Sequence, residues 1–109
     1  MNNSVLTASL VLVAMPLFAQ TDDKRTGEGQ DVFEEYCIGC HGSDGRAETD
    51  MSKKVGAADL TSDAVQQQSD SHLRTVIKEG KGKMPSFSQK LSDNEISSVL
   101  AYVRQMVKR

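Results

Sequence analysis

Apolar residues recur at helical spacing in three parts of the chain. The first part has four such positions, at i, i+3, i+4 and i+7: Gly29, Val32, Phe33 and Tyr36. This stripe predicts a short helix that starts near Thr26 and leads into Cys37, after a loose polar segment at residues 20–26. A glycine one turn before Phe33 would let a second helix approach closely; the alternative is that Gly29 is only a weak helix position near a helix end.

A second helix is predicted between residues 69 and 80. Its apolar positions recur at i, i+3 and i+4: Leu73, Val76 and Ile77. Ser69 offers an N-cap oxygen, and Gly80 marks the end of the helix. His72 falls in the first turn among polar neighbours, where we expect an exposed histidine rather than a metal ligand.

The third predicted helix begins with a capping box, in which Ser92 and Glu95 each bond the other's backbone N–H group. Its apolar stripe contains six residues: Ile96, Val99, Leu100, Val103, Met106 and Val107. The stripe predicts a helix that continues to the basic pair Lys108-Arg109, because positive charge is favourable at a helix C-terminus.

The segments between these helices lack a clear period. Residues 42–56 predict a surface loop with one helical turn near residues 51–55, and residues 61–68 are ambiguous. Two glycines and a proline make residues 80–87 irregular. Since no stretch shows β-strand alternation, the fold class is predicted to be all-α.

The composition fits one small domain preceded by an export signal. The chain has 109 residues, of which 38% are hydrophobic and 26% charged. Residues 1–19 carry no charge and are mostly apolar, which predicts a signal peptide cleaved after Ala19 and a mature domain at residues 20–109, in the periplasm or otherwise exported. An uncleaved anchor is the alternative, although about 15 apolar residues fall short of the ~20 that span a membrane.

The five residues Cys37-Ile38-Gly39-Cys40-His41 carry the candidate chemistry. Two thiols at this spacing can bond the two vinyl groups of one porphyrin, while the histidine binds the iron. The motif therefore predicts one covalently bound c-type haem. Without the histidine, Cys37 and Cys40 would also fit a disulfide, a thioredoxin-type pair or half of a zinc site; zinc is weakest because it needs four ligands.

A second iron ligand would separate an electron carrier from an open haem. Met51 lies only ten residues after His41, and Met106 belongs to an apolar stripe, where methionine usually fills the core. Met84 stands on the irregular loop, beside glycines that let the backbone lie close to a flat ligand. Met84 is therefore the predicted axial ligand opposite His41.

These motifs together resemble the small class I bacterial cytochromes c, over essentially the whole mature chain. The resemblance rests on Cys37–His41, on Lys83-Met84-Pro85 about forty residues later, and on a C-terminal helix. It implies three to five short helices around one haem, with His/Met ligation and with Gly29 and Phe33 meeting Val99 and Tyr102 where the terminal helices cross. The family usually has a proline whose carbonyl accepts the proton of the ligand histidine. Here Ala57-Ala58 occupy that region, and any backbone carbonyl there can accept.

Charge is unevenly distributed along the chain, whose net charge is −2. Residues 74–109 hold eight bases and three acids, whereas residues 20–73 are acidic. Four lysines surround the predicted methionine loop: Lys78, Lys81, Lys83 and Lys90. They form a candidate docking face for an acidic redox partner, and scattered solubilising lysines are the alternative. Nothing indicates nucleic-acid or membrane binding.

The predicted function is that of a soluble, monomeric, periplasmic one-electron carrier rather than an enzyme. Three alternatives stay open: a haem-bearing subunit of a larger complex, a sensor or enzyme with an open sixth position, and a thiol-disulfide oxidoreductase. The last would need strands with βαβ patterning, which the chain lacks. A thin aromatic core, with no Trp, predicts that the chain without haem is largely unfolded.

Overall fold

The computed structural model describes residues 4–5, 7–14 and 19–107. Its six helices are α1 (Ala19–Tyr36), α2 (Ile38–His41), α3 (Asp50–Val55), α4 (Asp63–Gln66), α5 (Asp70–Glu79) and α6 (Asp93–Arg104). The described residues form no strand, only an isolated bridge between Lys81 and Met84. The all-α class is confirmed. The count of helices exceeds the expected three to five because α2 and α4 are single turns, too short to show a period.

Helices α1 and α6 form the main packing interface. Phe33 and Val99 are almost fully buried there, and the Phe33 and Tyr102 rings lie 5.4 Å apart in a tilted arrangement. A Cβ atom at Gly29 would lie 2.1 Å from the backbone oxygen of Ser98. The predicted close approach at Gly29 is therefore confirmed, since no side chain fits between the helices at this point.

The core extends from this interface to the loop before α6. Its buried apolar members are Val32, Phe33, Phe87, Leu91, Ile96, Val99 and Val103. Phe87 reaches the core because its N–H group donates to the carbonyl of Ile77, which ties the loop to the end of α5. The loop that carries Met84 is thus attached at both ends to packed structure.

The predicted caps of α5 and α6 are present. The Ser69 hydroxyl accepts from the His72 N–H group, and Ser92 and Glu95 form the reciprocal capping box. The predicted turn near residues 51–55 is α3, whose Thr49 side chain caps Ser52.

Two helix boundaries differ from the prediction. Helix α1 begins at Ala19 rather than near Thr26, and its polar first half carries no apolar stripe from which the earlier start could be predicted. Helix α6 ends at Arg104, where the Gln66 side-chain amide donates to the carbonyls of Val103 and Met106. Met106 thus lies beyond the helix, and the predicted end at residues 108–109 lies outside the described residues.

The N-terminal segment stands apart from this core. Residues 4–5 and 7–14 are exposed and have no regular structure, and the stretch before the predicted cleavage point, residues 15–18, lies outside the described residues. None of the helices that the structure describes has the length and apolar character needed to cross a bilayer.

Candidate functional site

The Cys-x-x-Cys-His segment forms a tight helical turn at the end of α1. Cys37 continues the hydrogen bonding of α1 through Phe33, and its carbonyl then accepts from the N–H groups of Cys40 and His41. Both cysteines are half-buried and are not joined in a disulfide. One turn of helix therefore presents two thiols and one imidazole together.

The two cysteines differ in their surroundings. Burial, and secondarily the charge of Cys40, raises the pKa of the Cys37 thiol to about 11. A raised pKa means that the neutral thiol is favoured at this position. Cys37 thus belongs to the edge of the apolar core, against which it packs together with Tyr36 and Ile38.

The orientation of His41 is fixed by one hydrogen bond. Its Nδ1 atom lies 2.9 Å from the carbonyl oxygen of Ala58. A carbonyl only accepts, so Nδ1 carries the proton and a neutral His41 presents Nε2 as a lone pair. The acceptor expected from the Ala57-Ala58 segment is therefore Ala58.

Met84 lies on a tight loop after α5. The backbones of Lys81 and Met84 exchange two hydrogen bonds, of 3.0 and 2.9 Å. Gly80 and Gly82 have φ angles of 80° and 56°, which residues other than glycine rarely adopt. The irregular backbone predicted for residues 80–87 is confirmed, and Met84 itself is half-buried.

One cavity of about 590 Å³ brings four predicted site residues together: Cys37, Cys40, His41 and Met84. Its other walls are largely apolar and come from Tyr36, Val55, Val76, Pro85 and Phe87. Val55 was not singled out from the sequence, although it is an apolar residue among polar neighbours. The cavity is large, apolar and bordered by thiol, imidazole and thioether groups.

The competing candidates lie elsewhere. Met51 is 47% exposed, Met106 packs on Gly45 beyond α6, and His72 is exposed; none of the three lines the cavity. Within the described part of the chain, no cluster of three or more His, Cys, Asp or Glu side chains suits a metal ion. A zinc site at Cys37 and Cys40 therefore lacks the further ligands it needs.

A family model described as cytochrome c oxidase, cbb3-type, subunit III matches residues 24–103. The chain belongs to this family of cytochrome c domains. It is thus a small class I cytochrome c, a haem-binding protein of electron transport. The matched range contains the whole cavity, from Tyr36 to Phe87.

Individual relatives are of two kinds. Cytochrome c6 of Bryopsis maxima is 35% identical over 75 residues, which cover 69% of this chain and 84% of the relative. The cbb3-type cytochrome c oxidase subunit CcoP of Rhodobacter capsulatus is 33% identical over 94 residues, but this chain spans only 30% of its length. The solved structure of the KustC0563 c-type cytochrome superposes with a TM-score of 0.68 at 30% identity, covering 73% of this chain and 98% of that one.

The residues of the cavity fit a haem. Two thiols stand at the spacing that thioether bonds require, and the hydrogen bond from Nδ1 to Ala58 leaves Nε2 of His41 for the iron. Met84 adds a soft thioether, and the surrounding apolar walls suit the porphyrin plane. This donor set matches iron in a porphyrin better than it matches a hydrated divalent ion.

Proposed function

We propose that this cytochrome is a monomeric one-electron carrier, with a single haem bound covalently through Cys37 and Cys40. His41 and Met84 would hold its iron. The observation that carries the proposal is that one cavity contains both side chains, while the Nδ1–H of His41 is already committed to Ala58. When bound, the haem supplies a ferric/ferrous couple of one electron.

The chain's own residues determine how that couple behaves. A thioether ligand such as Met84 favours the ferrous form, and apolar walls disfavour the extra charge of the ferric form. Both effects raise the reduction potential. Two protein ligands also leave little to rearrange when the electron arrives, because neither position has to gain or lose a ligand.

The test is a visible and near-infrared spectrum of the haem-loaded protein, compared with Met84→Ala and with Met51→Ala as a matched control. Wild type and Met51→Ala are expected to keep the weak far-red band of methionine on ferric iron, whereas Met84→Ala loses it. Met84→His is expected to keep low-spin iron at a markedly lower potential. A band that survives in Met84→Ala, or carbon monoxide binding readily to reduced wild type, would contradict the ligand assignment.

Export is the second part of the proposal. The uncharged, apolar residues before Ala19 support a signal peptide, cleaved to leave the haem domain in the periplasm. N-terminal sequencing of the protein recovered from the periplasmic fraction is expected to begin at Gln20. An intact N-terminus in the membrane fraction would favour an anchor instead.

Three of the four lysines suit the proposed docking face: Lys81, Lys83 and Lys90. Lys81 and Lys83 line the cavity, and the Lys90 amino group stands 5.8 Å from the centre of the Phe87 ring. Lys78 is instead paired with Asp93 at 3.0 Å, so its charge is partly compensated. We expect an acidic redox partner to approach where Lys81 and Lys83 border the haem.

Salt dependence tests this face. Lys81→Glu and Lys83→Glu are expected to slow electron transfer to an acidic partner at low ionic strength, with the difference vanishing at high salt. Lys78→Glu, at the compensated position, serves as the control and is expected to have a smaller effect. Equal effects of all three substitutions would leave the lysines as solubilising charges.

A subunit of a terminal oxidase is the second candidate function. The family description and the CcoP relatives favour it. Affinity purification of the tagged protein from solubilised membranes separates the two candidates. A free carrier is recovered alone, whereas a subunit is recovered in fixed proportion with oxidase polypeptides.

A further inference from the structure

Ser52 is a buried polar residue that does not line the cavity. It is 1% exposed and lies on α3, between the His41 segment and Ala58. Its hydroxyl donates to the carbonyl of Cys40, the residue before His41. These hydrogen bonds, to Cys40 and to the Thr49 hydroxyl at 2.7 Å, offset the desolvation cost of burying the hydroxyl.

The backbone of Ser52 reaches the other side of the same histidine. Its carbonyl accepts from the Ala57 N–H group at 2.9 Å, and the next residue, Ala58, accepts from His41 Nδ1 at 2.9 Å. The contacts thus form a closed ring that runs from Cys40 through Ser52 and Ala57 to Ala58, and back to His41. Within this ring, Ser52 contacts both sides of His41. Its hydroxyl bonds the Cys40 carbonyl, and its own carbonyl bonds Ala57, next to the residue that accepts the His41 proton.

The ring is itself held in place. The Ser52 N–H group donates to the Thr49 hydroxyl at 3.0 Å, which caps α3, and the Leu60 N–H group donates to Gly45 at 2.8 Å. The Ala58 carbonyl therefore lies between Ala57 and Leu60, whose N–H groups are both hydrogen-bonded, although no proline stiffens this segment. Here hydrogen bonds to the buried Ser52 restrict the backbone, which the pyrrolidine ring of a proline would otherwise do.

We infer that Ser52 is a positioning residue for His41, resting on the proposed role of His41 as iron ligand. By holding Cys40 and Ala57 together, Ser52 fixes the distance from His41 Nδ1 to the Ala58 carbonyl. That hydrogen bond orients the imidazole and raises its basicity, which stabilises the ferric iron. Ser52 thereby sets how firmly His41 is held, although it does not line the cavity.

The experiment compares Ser52→Ala with Ser98→Ala in the haem-loaded protein. Ser98 is the matched control, because it is 3% exposed and its hydroxyl donates to Glu28 at 2.8 Å, outside the cavity. Ser52→Ala loses two hydroxyl contacts, to the Cys40 carbonyl and to the Thr49 hydroxyl at 2.7 Å, whereas Ser98→Ala loses one bond to a carboxylate. Since a bond to a charged group is worth about twice a neutral one, both variants are expected to lose stability to a similar extent. Only Ser52→Ala is expected to speed the exchange of the His41 Nδ1 proton, by roughly fivefold or more, and to raise the reduction potential.

Two results would overturn the inference. Ser52→Ala with wild-type proton exchange and potential would reduce Ser52 to a structural residue, and equal changes in Ser98→Ala would make the effect one of general stability. If Ser52→Ala fails to fold, Ser52→Cys keeps the volume with a weaker donor and is expected to show the same shifts at smaller size; wild-type values in that variant would likewise refute the role. Failure of the proposed function is separate, since it would appear in the wild-type spectrum as missing His41 or Met84 ligation.

Discussion

Helices α5 and α6 both carry an apolar stripe, but they bury it to different degrees. Helix α6 buries four apolar side chains, Ile96, Val99, Leu100 and Val103, whereas α5 buries none of its own. The α6 stripe packs on α1 and on loop residues, while Val76 of α5 lines the cavity. The α1–α6 half of the fold is therefore held by protein packing on protein, whereas α5 places Ile77 against that core and Val76 on the wall of the cavity that would hold haem.

Removal of the haem tests this division most severely. Cys37→Ala combined with Cys40→Ala removes both thiols of the proposed covalent attachment, and we expect the resulting chain to lose most of its helical structure. Burial of ~500 Å² of porphyrin contributes about 10 kcal/mol as an upper bound, which is comparable to the whole stability of a small domain. Far-UV circular dichroism during heating measures the outcome. A cooperative transition in the haem-free variant would show that the α1–α6 half folds alone.

Thiol reactivity in the haem-free wild-type chain sharpens the same test. In the folded chain, burial raises the pKa of Cys37 to about 11, above the ~8.5 of a free thiol. The folded state then keeps the proton longer, so this group's contribution to stability is complete below the unfolded pKa and falls as pH rises toward 11. If the haem-free chain is unfolded, Cys37 and Cys40 are expected to be alkylated with the same pH dependence. A late-reacting Cys37 would show that the core forms without haem.

A substitution at Gly29 is expected to disrupt the packing of α1 on α6. Gly29→Ala forces a Cβ atom to within 2.1 Å of the Ser98 backbone oxygen, so the helices must separate. Overpacking of this kind costs about 3 kcal/mol. Urea denaturation of the haem-loaded protein measures the loss. The control is Gly27→Ala in the same helix, where nothing lies within 4 Å; it is expected to gain up to about 1 kcal/mol from helix propensity. Equal stability of the two variants would mean that the close approach is unimportant.

The methionine loop is expected to respond differently from the helix pair. In Gly80→Ala, the new Cβ atom would lie 2.6 Å from the Met84 carbonyl, at a φ of 80° and ψ of 170° that favours glycine alone. The strain costs about 2 kcal/mol and displaces the loop. We therefore expect a weakened far-red methionine band at temperatures where the protein is still folded.

Gly82 supplies the control for that substitution. Its φ is 56° and nothing lies within 4 Å of an added Cβ atom. Asparagine tolerates this left-handed region, so Gly82→Asn is expected to keep the band. If Gly80→Ala unfolds the whole protein before the band weakens, the loop and the helix pair are one cooperative unit, and the division between them fails.

The parts of the fold that were predictable are those with a local signal. Helix α5 and the start of α6 were visible because their caps and their 3.6-residue stripes depend on neighbouring residues alone. The end of α6 was not visible, since the Gln66 side chain that meets its last carbonyls comes from a turn nearly forty residues earlier. The polar half of α1 has no stripe to reveal it. Only tertiary structure decides such boundaries.

The candidate site divides in the same way. Cys37, Cys40 and His41 form a contiguous motif, and Met84 was singled out by the glycines and proline around it. Ser52 was invisible because a serine between Met51 and Lys53 resembles any surface serine. Its burial arises only when the chain folds back so that residue 52 lies beneath the Cys40 carbonyl. The residues that would bind haem could thus be predicted from the sequence, whereas Ser52, which would orient His41, could not.

The smallest expected effect concerns the cap of α6, whose residues do not line the cavity. In Ser92→Ala, the Glu95 N–H group loses its hydroxyl acceptor, which lies at 3.1 Å, and the helix loses about 1 kcal/mol. Because α6 belongs to the half held by protein packing, we expect a lower unfolding midpoint with an unchanged far-red band and potential. Ser92→Asp, which keeps a capping oxygen, is expected to restore the midpoint. A potential that moves with the cap would show that α6 transmits strain to the cavity, so that the two halves are coupled more tightly than their separate packing indicates.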